Sequence, residues 1–219
     1  MFIIKQITAF IFSLLFTLGM HVPESLEIAN IPELNENAVR IVSFNVRCKD
    51  DLYGSVEGRS QLIMSAISQY RPDSFGVQEA TQQWLDIFAE GLSEDYACVS
   101  QMRDGKNSSE ASAVFYLKEK YNLVESGTIW LSDTPDEFAS KFTFSFCPRI
   151  ATWTVLENKA TGECYTHINT HLDHVFECVR VEQIKVLMGK IAELKELGYP
   201  VVCTGDFNTK EGADAYNEM

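Results

Sequence analysis

Val201-Val202-Cys203-Thr204-Gly205-Asp206-Phe207-Asn208 reads as a buried strand that carries a carboxylate and an amide to its own end. The run is apolar and rich in β-branched residues as far as a glycine, where the backbone turns and Asp206 and then Asn208 follow. Cys203, in the middle of the run, behaves as a small hydrophobe. Three earlier apolar runs close in the same way, on Asn45, Glu79 and His171. Any one of these ends alone reads as a turn former, a helix N-terminal acid or a structural histidine. Four polar strand ends at one edge are hard to explain as four separate turns, so they are read together as one site.

Outward from that strand, elements alternate. Ile41-Val42-Ser43-Phe44 is a short strand ending at Asn45, followed by a loop with Gly54 and Gly58. A helix is expected from Ser60, with Leu62, Ile63, Ala66, Ile67 and Tyr70 on one face and Pro72 as its stop. The strand 74–78 ends at Glu79, and Thr81 is placed to cap a helix whose apolar face is Trp84, Leu85, Phe88 and Leu92. Strands follow at 96–100 and 113–117 around a polar loop, 103–110, and at 121–131 with a bulge expected at Gly127. An aromatic-rich loop runs to Cys147-Pro148; a hairpin, 150–157 with 163–170, comes next. A last long helix repeats Val181, Ile184, Leu187, Ile191 and Leu194 and ends at Gly198 and Pro200. Strands alternating with helices around an antiparallel middle predict a mixed α/β sandwich.

A chain of 219 residues suits one domain with a sizeable core, and 46% hydrophobic with 22% charged residues argues against general disorder. The formal net charge of −13 works against nonspecific attraction to nucleic acid or anionic membrane. Residues 1–20 have one charge, Lys5, an apolar run too short for a membrane span of about 20 residues, and small side chains at Thr17 and Gly19. They read as a signal peptide, which places the protein in a secreted or periplasmic compartment. Residues 21–39, with two prolines and no Lys or Arg, read as a linker, and the folded domain is expected over 40–219 as a monomer. The six cysteines stand in no metal-type spacing and are expected to be mostly free, buried thiols.

The residue types at the four strand ends suit phosphoester hydrolysis, which needs charge neutralised on nonbridging oxygens and a positioned water. One hard cation held by few carboxylates supplies much of this. Glu79 is the best ligand, an acid leaving a buried strand where an unpaired charge is costly. Asp206 is the second carboxylate, able to hold the metal or the attacking water. The amides of Asn45 and Asn208 can orient Glu79, the water and a phosphate oxygen, and His171 can donate to a nonbridging oxygen. A zinc site at His171 and His174 fares worse, because strand alternation puts the two on opposite faces. A nucleophilic Cys203 paired with His171 also fares worse, because the thiol sits within an apolar strand.

Ser43-Phe44-Asn45-Val46-Arg47, Gly76-Val77-Gln78-Glu79, Asn169-Thr170-His171-Leu172 and Thr204-Gly205-Asp206-Phe207-Asn208, in that order, resemble the endonuclease/exonuclease/phosphatase superfamily with its deoxyribonuclease-I-like fold. The resemblance covers about residue 40 to the end. It implies an α/β four-layer sandwich of two mixed β-sheets flanked by helices, a magnesium or manganese ion on Glu79 and Asp206, and a phosphoester substrate. Asn45, His171, Asp206 and Asn208 would take the polar catalytic roles. The segments 130–135 and 148–153 look like an often exported branch, in which Arg149 would contact phosphate; a structural salt bridge is the competing role for that arginine. A small phosphate ester or a phosphodiester suits the acidic chain better than DNA or RNA, which leaves a nuclease as the alternative. Family members continue past the Gly-Asp-x-Asn strand to a late Asp-His pair, whereas this sequence ends eleven residues after Asn208. The resemblance therefore implies a sandwich incomplete at the C-terminus, with an exposed sheet edge and little activity. A noncatalytic binding protein or remnant is the second alternative.

Overall fold

Two four-stranded sheets form the centre of the computed structural model, which describes residues 31, 38–52 and 54–219. In the first, β1 (Ile41–Asn45) lies parallel to β2 (Ser74–Ala80), while β2 and β3 (Tyr96–Val99) run antiparallel on either side of β4 (Ala111–Leu117). In the second, β5 (Tyr121–Trp130), β6 (Ile150–Asn158) and β7 (Cys164–His171) form an antiparallel meander, and β8 (Val201–Asp206) adds parallel to β7. Each parallel pair needs a long crossover, and the helices α1 (Val56–Tyr70) and α3 (Glu177–Lys195) supply them. Helix α2 (Gln82–Leu92) and the short α4 (Asp214–Asn217) complete the described elements. Both sheets are mixed and flanked by helices, as expected.

This topology brings the four polar ends together. Strands paired in parallel finish at the same edge, so Asn45 stands opposite Gln78, beside Glu79, and His171 stands opposite Asp206. The sheets pack with β1 and β8 facing each other, which places the Asn45 end over the Asp206 end.

The apolar cores lie on the outer faces. Phe75 stacks on Phe115 with ring centroids 4.7 Å apart, and Phe88 and Trp84 of α2 close over them. On the other side Ile168, Leu172 and Trp153 pack against Ile184, Leu187 and Leu194 of α3. Between the sheets runs a polar line. Ser74 Oγ lies 2.8 Å from His167 Nδ1, His167 Nε2 lies 2.8 Å from Thr204 Oγ1, and the Tyr165 hydroxyl donates to Ser74 Oγ at 3.0 Å. Buried polar groups of this kind are tolerated only when partnered, and both nitrogens of His167 are.

Several local expectations differ. Helix α1 starts at Val56, because Ser55 accepts from the Gly58 N–H at 3.1 Å and the buried Arg59 ties the first turn to the carbonyls of Val46, Arg47 and Lys49. Thr81 occupies the N-cap of α2 without a capping bond, and its hydroxyl is buried with no partner. The irregularity in β5 falls between Leu123 and Glu125; Gly127 pairs regularly with Trp153, where a Cβ would come within 3.0 Å of the indole. The six thiols are free, but only Cys147 is buried while Cys98 and Cys178 are exposed. The signal peptide expected at 1–20, and nearly all of the linker expected at 21–39, lie outside the described residues. No helix among the described residues is long and apolar enough to cross a membrane.

Burial pushes the His167 imidazole down to about 3, from an ordinary value near 6.5. Below pH 6.5 the unfolded chain takes up a proton that the folded chain refuses until about 3, so stability falls as pH drops through that window. The loss should approach ~1.4 kcal/mol per pH unit for this one residue. Urea unfolding measured at several pH values should show a slope shallower by one proton in His167→Gln. An equal slope in both proteins would mean that His167 is protonated in the fold.

Candidate active site

Asn45 holds the centre of the shared edge. Its Nδ2 donates to Oε1 of Glu79 at 2.7 Å and to Oδ2 of Asp206 at 3.0 Å, so one amide links a carboxylate from each sheet. Its Oδ1 accepts from the Arg47 N–H at 2.9 Å, which fixes the amide with its nitrogen toward the acids.

Glu79 reaches this point through a β-bulge. Pairing of β2 with β4 runs from Val77↔Ala113 to Ala80↔Ala111, two residues against one, and Glu79 takes φ +61°. Bulges re-aim side chains next to functional sites, and a left-handed non-glycine residue persists only where its surroundings hold it. Burial would raise the Glu79 carboxyl, but the bond from Asn45 and a 3.0 Å bond from the Cys48 N–H to Oε2 bring it below the usual carboxylate range.

Asp206 is fixed by its own turn: Oδ1 accepts from the Asn208 N–H at 3.1 Å. Asn208, at φ +50°, donates Nδ2 to the Leu172 carbonyl at 3.1 Å and so fastens the turn after β8 to the one after β7. That bond uses one of the two Nδ2 hydrogens of Asn208; the contact with Glu79 is made by Asn45.

His171 is buried, with Nε2 3.9 Å from Asp206 Oδ2 and with Nδ1 lacking any partner. Burial, reinforced by Arg149 and Arg103, pushes it down to about 3, so it is a neutral imidazole at physiological pH, with one donor and one acceptor nitrogen. Arg149, only 4% exposed, lies 2.9 Å from His174 Nδ1 through Nη2, and its Nε is buried without a partner. It forms no ion pair among the described residues, so the salt-bridge role is not the one it takes here.

Glu79, His171 and Arg149 line a small cleft together with Arg103, Glu110 and Ser112. Arg103 and Glu110 are functional candidates that the sequence reading missed. They form a two-pronged pair at 2.7 and 3.1 Å across the β3–β4 hairpin, and burial followed by the nearby Glu79 pushes the Glu110 carboxyl up. The only signal was opposite charges at the two ends of a polar loop. Beside the cleft, the buried Asp173 accepts bonds from the N–H groups of Phe146, Val175 and Phe176 and so ties the aromatic loop to the turn after β7. Phe146 meets the His174 ring edge-on at 5.3 Å.

Among the described residues, no group of three or more His, Cys, Asp or Glu side chains is gathered to hold a metal ion. A magnesium-like cation does not need one, since it keeps several waters and binds through one or two carboxylates. Glu79 and Asp206 converge on a single neutral amide, with no Lys or Arg within ion-pair distance of either among the described residues. Two acids from opposing sheets brought together with no ion-paired Lys or Arg suit a divalent cation.

The sequence profile described as the Endonuclease/Exonuclease/phosphatase family matches residues 42–219. An endonuclease/exonuclease/phosphatase from Bacteroides vulgatus is similar at 33% identity and a TM-score of 0.75, over 83% of this chain and 70% of that one. A mannosyl-6-phosphatase of Bacteroides thetaiotaomicron is similar at 32% identity and a TM-score of 0.75, over 83% of this chain and 69% of that one. In sequence, the 3'-5'-exoribonuclease subunit Ccr4 of the CCR4-Not complex of Schizosaccharomyces pombe is 26% identical over 81% of this chain, which spans only 34% of that protein's length. With two mixed sheets, four polar strand ends at one edge and a match over most of its length, the chain belongs to the endonuclease/exonuclease/phosphatase family.

Proposed function

We propose that the chain is an exported, divalent-cation-dependent hydrolase of phosphoester bonds acting on a small phosphate ester or a phosphodiester. The observation that carries this reading is the Asn45 amide, which holds Glu79 and Asp206 side by side at 2.7 and 3.0 Å. A magnesium or manganese ion held by those carboxylates would neutralise nonbridging oxygens and make water more acidic. Asn45 keeps both carboxylates from rotating away, and Asn208 keeps Asp206 at its turn. Asp206 Oδ2, beside Asn45 and His171, is the acceptor for a proton from the attacking water. The neutral His171 donates to a nonbridging oxygen without carrying charge of its own. Arg149 supplies the fixed cation for the phosphate, through a guanidinium whose Nε has no other partner.

The likeness to a mannosyl-6-phosphatase supports a small phosphomonoester. The likeness to an exoribonuclease subunit supports RNA as a second substrate class, against which the net charge of −13 weighs. Export rests on the composition of residues 1–20.

Glu79→Gln keeps the shape of the acid but removes its charge and one of the two oxygens that accept from Asn45 and the Cys48 N–H. Against a panel of phosphomonoesters, phosphodiesters and RNA, it should lower kcat roughly a thousandfold, about 4 kcal/mol of barrier, and EDTA should abolish the wild-type turnover. Unchanged turnover in either case would remove the cation from the reaction. Arg149→Ala should lower kcat/KM by roughly tenfold to a hundredfold, the range of a charge-assisted hydrogen bond. Arg149→Lys should recover only part of that loss, since a point charge does not reproduce the guanidinium fork. Full recovery by lysine would show that only the charge matters.

A further inference from the structure

Asn169 belongs to β7, yet three of its four side-chain hydrogen bonds end on the opposite sheet. Its Nδ2 donates to the Val77 carbonyl of β2 at 2.9 Å and to the Ala113 carbonyl of β4 at 3.0 Å. Its Oδ1 accepts from Gln78 Nε2 at 2.7 Å and, within its own sheet, from Thr204 Oγ1 at 3.1 Å. Two donors and two acceptor sites exhaust a carboxamide, so this fully buried amide is completely satisfied.

The positions it grips are those of the bulge. Val77 and Ala113 are the last regular pair of β2 with β4, and the two bulged residues that follow are Gln78 and Glu79. Asn169 therefore joins both strands where the ladder breaks and also holds the side chain of the first bulged residue. Gln78 passes the connection on to Ser43 at 3.1 Å. Ser43, Gln78, Asn169 and Thr204 form one hydrogen-bonded row across both sheets, one or two residues before Asn45, Glu79, His171 and Asp206 respectively. The fold makes room for it at Gly76, where a Cβ would lie 2.5 Å from Asn169 Cγ and Oδ1.

We propose that Asn169 is a positioning residue for Glu79, an amide from the opposite sheet that holds the bulge and so fixes where the Glu79 carboxylate points. The proposal rests on the reading of Glu79 as the cation's ligand. A regular ladder through Gln78 and Glu79 would return Glu79 to extended backbone and swing its carboxylate away from Asn45. Asn169 bonds to two backbone carbonyls and a glutamine that such a ladder would displace, so its effect should be felt in cation affinity.

Binding of Mn²⁺ to the protein without substrate, followed by calorimetry, tests this. Asn169→Ala should weaken Mn²⁺ binding roughly tenfold or more, the scale seen when partners of metal ligands are removed. Leu187→Ala, a cavity in the core beneath α3, serves as a variant of reduced thermal stability and should bind Mn²⁺ like the wild type. Gly76→Ala crowds the amide without deleting a hydrogen-bonding group; it should also weaken Mn²⁺ binding and stands in if Asn169→Ala does not fold. Wild-type affinity in the folded Asn169→Ala or Gly76→Ala protein, or an equal loss in Leu187→Ala, would overturn the proposal. Glu79→Gln separates the two levels. If it weakens Mn²⁺ binding while Asn169→Ala does not, only the positioning role fails; if it leaves binding unchanged, the cation reading fails and the proposal with it.

Discussion

Two carboxylates on opposing sheets, Glu79 and Asp206, are held within hydrogen-bonding reach of one amide nitrogen of Asn45. Like charges brought together at a partly buried edge repel, and a neutral amide offsets only part of that cost. The rest of the architecture serves this arrangement. Two parallel strand pairs end at a common rim, a bulge turns Glu79 outward, and the Asn208 turn pins Asp206. On the proposed reading, a divalent cation bound between the two acids would offset the rest of that cost.

The polar layer between the sheets is the structural counterpart of that rim. An all-apolar interface would bury more hydrophobic area, but it would let the sheets slide without penalty. Hydrogen bonds of fixed length and direction set the register of one sheet against the other. His167 bridging Ser74 and Thr204, and Asn169 bridging β2, β4 and β8, each connect residues more than thirty positions apart in the chain. The apolar packing is placed outside, where helices α1 and α2 cover one sheet and α3 covers the other. Small errors of register would be tolerated on those outer faces; at the rim they would separate Asn45 from Asp206.

The order of elements and the convergence of four strand ends were legible because both are local. Apolar runs closing on Asn45, Glu79, His171 and Asp206 announce themselves by composition, and the alternation of strand and helix implies parallel pairs with a common edge. What could not be read depends on partners far along the chain. The bond from Asn208 Nδ2 to the Leu172 carbonyl, which fastens two turns together, leaves no signal in the sequence. Gln78-Glu79 has no glycine or proline to announce a bulge, because Asn169 in the other sheet stabilises it. Gly127 suggested a bulge but serves to admit the Trp153 ring, and Gly54 with Gly58 suggested a loop where Ser55 starts a helix. Arg103 and Glu110 gave no motif; only the folding of their hairpin over the cleft brings them beside Glu79.

The central claim is that Glu79 and Asp206 form one cation site. Its most direct test is a crystal structure of the protein grown with Mn²⁺, with the ion located by its anomalous scattering. The account predicts one strong peak within coordinating distance of a Glu79 oxygen, on the side facing Asp206, with Asn45 still bonded to both acids. A peak elsewhere in the cleft, for instance on Glu110 with Glu79 bonded only to Asn45 and the Cys48 N–H, would contradict it.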